Sequence, residues 1–346
     1  MKAIRSIVGF LAFASVLWLP GCSPERPDRE IQVISNLAQG TTYTIKWWSA
    51  GEFDAAAFAS AIQDELARID ELLSNFREDS MIERFNASRT VEAQALPEEM
   101  LMLLRIAAAV HRASAGCFDP TVRPLVALWG FDTAAPHVPH PSALAAARTR
   151  VGFDKLELID TQHVRKTIAD LEIDMAGIGQ GYTVARLAQI AAELGLDNYL
   201  IEIGGELAAH GGKPNDEPWR VGIEQPLDAQ RAVPRVLILP TERTTAVMTS
   251  GTYRHFFEEG GQTYSHILDP KTGRPVQHDL VSVTVLHSDP TLAGAWSTAL
   301  LCLGPEQAAV TAEREGLAAL LLVRVGESIQ ERRSTSLDEG WLGVLE

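Results

Sequence analysis

Residues 53–76, FDAAAFASAIQDELARIDELLSNF, place apolar side chains at helical spacing and predict one long amphipathic helix. A second helix is expected over 96–116, LPEEMLMLLRIAAAVHRASAG, with Pro97 in its first turn and Gly116 as its stop. Residues 41–48, TTYTIKWW, alternate as a strand does. A Pro/His-rich loop (131–141) leads to a further helix over 141–152, and short strands are expected at 155–159, 164–168 and 171–175. Glycines at 177, 179 and 181 then open a helical pattern that runs to about Leu194. The stretch NYLIEIGGELAAHG (198–211) reads as a strand, a Gly-Gly bend and a strand. Strand candidates follow at 219–226, 235–240, 245–249 and 281–288. Asp289-Pro290 starts a helix through about Leu303, residues 305–315 form another, and LAALLLVRV (317–325) closes as a strand. Helices and strands mix without a βαβ cycle or an internal repeat. The predicted class is α+β: a mixed sheet core with packed helices, in two closely fused subdomains.

The amino terminus has a different character. Lys2 and Arg5 precede an apolar run from Ile7 to Leu19, too short to span a bilayer stably, which ends in Leu19-Pro20-Gly21-Cys22. This resembles a bacterial lipobox, so 1–22 is expected to be a lipoprotein signal peptide with Cys22 acylated. The bland alternative is a secretory signal with an incidental cysteine. Residues 23–36, polar and proline-containing, read as a tether, and 37–346 as the folded domain. Ser23 is not the Asp that signals inner-membrane retention in many lipoproteins, which leans toward the outer membrane. The expected location is the periplasmic side of a bacterial membrane.

Composition narrows the function. A net charge of −15, with acidic residues dispersed, leaves no basic stripe and argues against nucleic acid as a partner. The remaining cysteines, Cys117 and Cys302, make no metal site; one bridge between them in an oxidising periplasm is the alternative, but they are expected to stay unpaired, one in a working loop and one in an apolar helix.

Three segments carry candidate chemistry. Gly177-Ile-Gly179-Gln-Gly181 has its third glycine one place early for a dinucleotide fingerprint. A helix start still favours an anion, whereas the plain structural reading is a tight packing loop. Residues 250–278 are too polar for a core and too rich in Gly and Pro for a helix. Within them His266 can act as acid or base near neutrality, or serve merely as a structural hydrogen-bonder. Residues 115–131, AGCFDPTVRPLVALWGF, turn at Asp119-Pro120 ahead of an aromatic anchor.

Together these segments resemble the ApbE family of FAD:protein FMN transferases. The resemblance runs from QGTTYTI (39–45) through the segment ending at Phe131, the 177–185 glycine segment, 203–226, and 249–276. It implies an enzyme that breaks the FAD pyrophosphate with the help of a divalent metal, usually magnesium. FMN moves to a threonine hydroxyl of an extracytoplasmic redox protein and AMP leaves. The logic is phosphoryl transfer. By position, the resemblance makes His266 catalytic. It assigns Gln39, Phe76, Cys117, Phe118, Asp119, Asp174, Gln180 and Ile267 to FAD. It assigns the Gly177 carbonyl, Ser297 and Thr298 to metal.

The chain departs from the family pattern on its late helix. Relatives read ADAWxTAL; here the text is AGAWSTALL (293–301), so Gly294 replaces a metal-binding Asp. Ala185 likewise replaces an Asp. A hard cation wants carboxylate oxygens, so weakened magnesium binding is expected. The alternatives to transfer are a catalytically weak FAD-binding or carrier protein and an FAD pyrophosphatase giving FMN and AMP. No acceptor motif of the Asp-Gly-x-Ser/Thr-Gly-Ala-Thr kind occurs in the chain, so self-flavinylation is not expected.

Overall fold

The computed structural model describes residues 30–224 and 235–341. Cys22 and the apolar run before it lie outside those residues. Among the described residues no helix is long and apolar enough to cross a membrane.

The centre is an eight-stranded antiparallel sheet. Its spatial order is Gln32–Ala38, Thr41–Trp47, Tyr199–Ile203, Glu206–His210, Thr245–Gly251, Leu280–His287, Ala318–Val325 and Ser328–Arg333. Both faces of its middle are covered. Ala246, Met248, Val283, Val285, Ala319 and Leu321 point into the larger core. Val247, Leu286, Leu320 and Leu322 point into a second core on the opposite face. Burial on both faces is why these strands read as continuous apolar runs rather than as alternation. The larger core is roofed by the helices Ala55–Leu73, Glu98–Ala113, Ala176–Glu193 and Pro290–Leu303. The second is closed by the hairpin Arg220–Ile223/Arg235–Ile238 and the helix Thr335–Gly340, through Ile223, Leu237 and Leu337. A third cluster, around Trp129, Phe131, Leu144 and Leu268, forms a lobe beside the sheet.

Helix starts follow from local capping. Asp54 accepts from the Ala57 amide at 2.9 Å. Asp289 accepts from the Thr291 and Leu292 amides at 2.8 and 3.3 Å, with Pro290 at the first helical position.

Four elements differ from expectation. The edge strand Gln32–Ala38 begins inside the stretch read as tether; its side chains are mostly solvent-facing, so no hydrophobic alternation marks it. Residues 171–175 do not form a strand, although Leu171, Ile173 and Met175 are buried. The Asn86 side chain takes the place of a neighbouring strand: its Oδ1 accepts from Ile173 N at 2.8 Å and its Nδ2 donates to Ile173 O at 2.9 Å. The polar segment 250–278 folds as two hairpins, Phe256–Glu259/Gln262–Ser265 and Leu268–Asp269/Arg274–Pro275. A strand and a helix, Ser328–Arg333 and Thr335–Gly340, follow the one taken as the last.

Cys117 and Cys302 are joined in a disulfide, with Cα atoms 5.6 Å apart, which corrects the expectation that both stay free. Each lies where the sequence places it, in the loop and in the apolar helix. The end of that helix packs under the loop and brings the two thiols together.

Candidate active site

Several elements converge on a cavity of about 360 Å³ at one end of the sheet. Its walls are the loop 117–120, the first turns of the helix Ala176–Glu193, the end of the strand Thr245–Gly251 with the turn after it, residues 266–268, and one face of the helix Pro290–Leu303. The three glycines are therefore not a loop but the opening of a helix. Two have steric reasons. A Cβ at Gly181 would fall 2.4 Å from the Pro290 carbonyl oxygen, so glycine there lets two helices cross closely. A Cβ at Gly177 would fall 3.0 Å from the Phe118 ring.

Phe118 is buried and serves as wall; Phe76 is 82% exposed at the mouth, its ring faces open to a planar ligand. Asp174, Gln180 and Ile267 line the same cavity. Asp174 is held by the Ala176 amide on its Oδ1 (2.7 Å) and donates its own amide to Pro120 O (2.6 Å). Gln39 does not line this cavity but an adjoining cleft that shares Phe76 and Gln180 with it. Its backbone has φ +51°, and its amide nitrogen donates to Thr183 Oγ1 at 2.9 Å.

Asp119 borders the cavity, but its carboxylate is occupied. Oδ1 accepts from the Thr121 amide and hydroxyl at 2.8 and 2.6 Å, and Oδ2 from the Phe153 amide at 3.1 Å. Burial raises its pKa against these bonds. Its place is that of a buried post holding the loop on which Cys117 and Phe118 sit.

His266 is half-buried. Its Nδ1–H donates to the His255 carbonyl at 3.0 Å, which leaves the Nε2 lone pair as the basic site. Burial drives its pKa down to about 4, so the ring is neutral at neutral pH. His255, Arg254 and Leu268 line the cavity beside it.

The hydroxyls assigned to metal form a connected group. Ser250 Oγ lies 2.9 Å from Ser297 Oγ and 3.2 Å from Thr298 Oγ1, and Ser297 Oγ also donates to Gly294 O at 2.9 Å. Thr298, Gly294 and Gly177 line the cavity, whereas Ser297 is buried behind it. In a helix the Gly177 carbonyl points along the axis toward the Gly181 amide. No carboxylate joins this hydroxyl group, and among the described residues no cluster of three or more His, Cys, Asp or Glu could hold a metal ion. These neutral, mutually bonded oxygens do not fit a hard cation held by the protein. At Gly294 there is room for a side chain: an added Cβ would meet nothing nearer than Gly181 Cα at 3.5 Å.

Two residues stand in the wall without having been singled out for a role. Glu206 opens its strand immediately after the Gly204-Gly205 bend and lines the cavity, and Arg254 reaches over that bend, donating to Gly204 O at 3.1 Å. The signal for Glu206 was an acid inside an otherwise apolar strand.

The sequence pattern of the ApbE family matches residues 39–321. The FAD:protein FMN transferase of Salmonella typhimurium is 34% identical over 92% of this chain and 93% of its own length. That of Vibrio cholerae is 35% identical over 94% and 96%. Among solved structures, the flavin transferase ApbE from Vibrio cholerae superposes with a TM-score of 0.83 at 34% identity, covering 90% of this chain and 99% of that one. The apo form of the Pseudomonas stutzeri flavinyl transferase ApbE gives 0.83 at 35%, covering 90% and 97%. With fold and sequence in agreement over nearly its whole length, the chain belongs to the ApbE family.

Proposed function

We propose that this protein is an FAD:protein FMN transferase that moves FMN from FAD to a threonine hydroxyl of an extracytoplasmic redox protein and releases AMP. The observation that carries the reading is His266, a neutral ring fixed through Nδ1 with Nε2 free, in a cavity that an exposed aromatic and a helix N-terminus border. Nε2 takes the acceptor hydroxyl proton as the threonine oxygen bonds to the FMN-side phosphorus. The bond from that phosphorus to the bridging oxygen breaks, and AMP leaves with that oxygen and its electron pair. Arg254 and the amino end of the helix Ala176–Glu193 offset the charge that develops on the phosphoryl oxygens. The residues present do not hold magnesium by themselves.

The signal pattern of 1–22 supports export and acylation at Cys22, hence action on the periplasmic side of a membrane.

The test uses the full chain in detergent with FAD, magnesium and an acceptor domain carrying the threonine motif. AMP release together with flavin fluorescence covalently on the acceptor is expected, and both should fall at least 100-fold in His266→Ala. The missing carboxylate at Gly294 favours a second reading, an FAD-binding protein with little transfer or with hydrolysis alone. AMP without labelled acceptor would support hydrolysis, and FAD binding with neither product would support a carrier.

A further inference from the structure

The reaction as described leaves Glu206 unused. The residue is 7% exposed, and its Oε2 reaches neither solvent nor any hydrogen-bond partner. Leaving a buried polar atom unpaired costs roughly 1–3 kcal/mol, and the residue that carries it lines the cavity.

The groups facing it are few. Arg254 comes from the turn after the strand Thr245–Gly251; its guanidinium lies over Gly205, where a Cβ would fall 2.8 Å from Nη2. Tyr253 stands on the same turn, and Glu224 approaches Arg254 from the far side at 3.8 Å. Glu202, on the preceding strand, is occupied by the Gly205 amide at 2.6 Å. The two helices packed over this end of the sheet bring no charged side chain to the cavity; Gln180 and Thr298 are their polar groups there. Across the cavity stand His255, His266, Asp119, Asp132, Asp174 and Arg123.

Burial, opposed in part by Arg254, lifts the Glu206 pKa to about 8. At neutral pH the group is then a carboxylic acid, with a proton to donate. A diphosphate offers acceptors alone, and an ionised carboxylate in this position would repel it.

We propose that the Glu206 carboxylic acid donates a hydrogen bond to a phosphoryl oxygen of the FAD diphosphate, beside the Arg254 guanidinium. This rests on the reading that the cavity binds FAD. A sugar hydroxyl at this carboxyl would give the opposite pH response, because a hydroxyl can donate to the ionised form.

The experiment is FAD binding by fluorescence titration on the full chain in detergent, without added metal, from pH 6.5 to 9 at constant ionic strength. The diphosphate does not titrate in that range. The wild-type Kd should weaken about tenfold between pH 7 and 9, tenfold per unit beyond the pKa. Glu206→Gln, which keeps a donor and cannot ionise, should lose that slope, and Glu206→Leu should bind weakly at every pH. Tight wild-type binding that is flat with pH or strengthens above pH 8 overturns the proposal while leaving FAD binding intact. The same slope in Glu206→Gln overturns it as well. No FAD binding by wild type at pH 7 overturns the FAD reading itself.

Discussion

His266 and Glu206 are both ionisable, both line one cavity, and burial moves them in opposite directions. Burial disfavours charge, so the imidazole falls to about 4 and the carboxyl rises to about 8. Each is therefore neutral across the physiological range, one as a base and one as an acid. For His266 the sign gives a kinetic prediction. The ring is the free base above its lowered pKa, so kcat/KM should rise through about pH 4 and show no ascending limb near 6.5; a limb at 6.5 in the pH–rate profile would contradict the assignment. For Glu206 it gives a stability prediction. Between about 4.5 and 8 the unfolded chain ionises this residue while the folded chain keeps it protonated, so stability falls as pH rises through that window. Glu206→Gln should raise stability on the order of 4 kcal/mol at pH 8 and leave it nearly unchanged at pH 4, read from denaturant midpoints at the two pH values. His266 was legible in the sequence because it stands in polar company. Glu206 was not: one acid after Gly-Gly reads as a bend, and only the packing shows that the residue lines a cavity.

At the scale of elements, the crossing of Ala176–Glu193 over Pro290–Leu303 sets the back wall. The crossing depends on Gly181, where a methyl would strike a backbone carbonyl that cannot swing away. Gly181→Ala should cost about 1–3 kcal/mol and weaken FAD binding together with stability, measured by thermal melts and FAD titration. Gly294 faces the same crossing, where an added Cβ would make ordinary van der Waals contact with Gly181. Gly294→Asp places a carboxylate at a buried position beside Thr298, so it should cost stability, roughly 1–3 kcal/mol by thermal melts, and should make FAD turnover respond to magnesium at lower concentration. Elements with a buried face were legible from spacing, as in 55–73 and 290–303. Those without one were missed: the edge strand Gln32–Ala38 hides no apolar face, and the hairpins of 250–278 are held by short turns and aromatic stacking such as Phe257 on Tyr264. The reverse error at 171–175 arose because an asparagine side chain can satisfy a backbone as a strand would.

For the whole molecule, the disulfide between Cys117 and Cys302 joins positions 185 residues apart. No spacing rule could have paired them, because the pairing depends on the helix that carries Cys302 reaching the loop that carries Cys117. Closing so long a loop restricts the unfolded chain, and reduction should lower stability by about 3–5 kcal/mol, seen as a shift in the denaturant midpoint with and without reductant. The same bond also imposes an order in time. Cys117 emerges from the ribosome long before Cys302, so the loop that borders the cavity cannot be locked until the last quarter of the chain has been made and has packed. A truncated chain ending before residue 302 would leave Cys117 a free thiol open to wrong partners. Maturation of the site is thus tied to completion of the polypeptide, and a cell short of oxidant would accumulate full-length protein whose cavity wall has yet to be fastened.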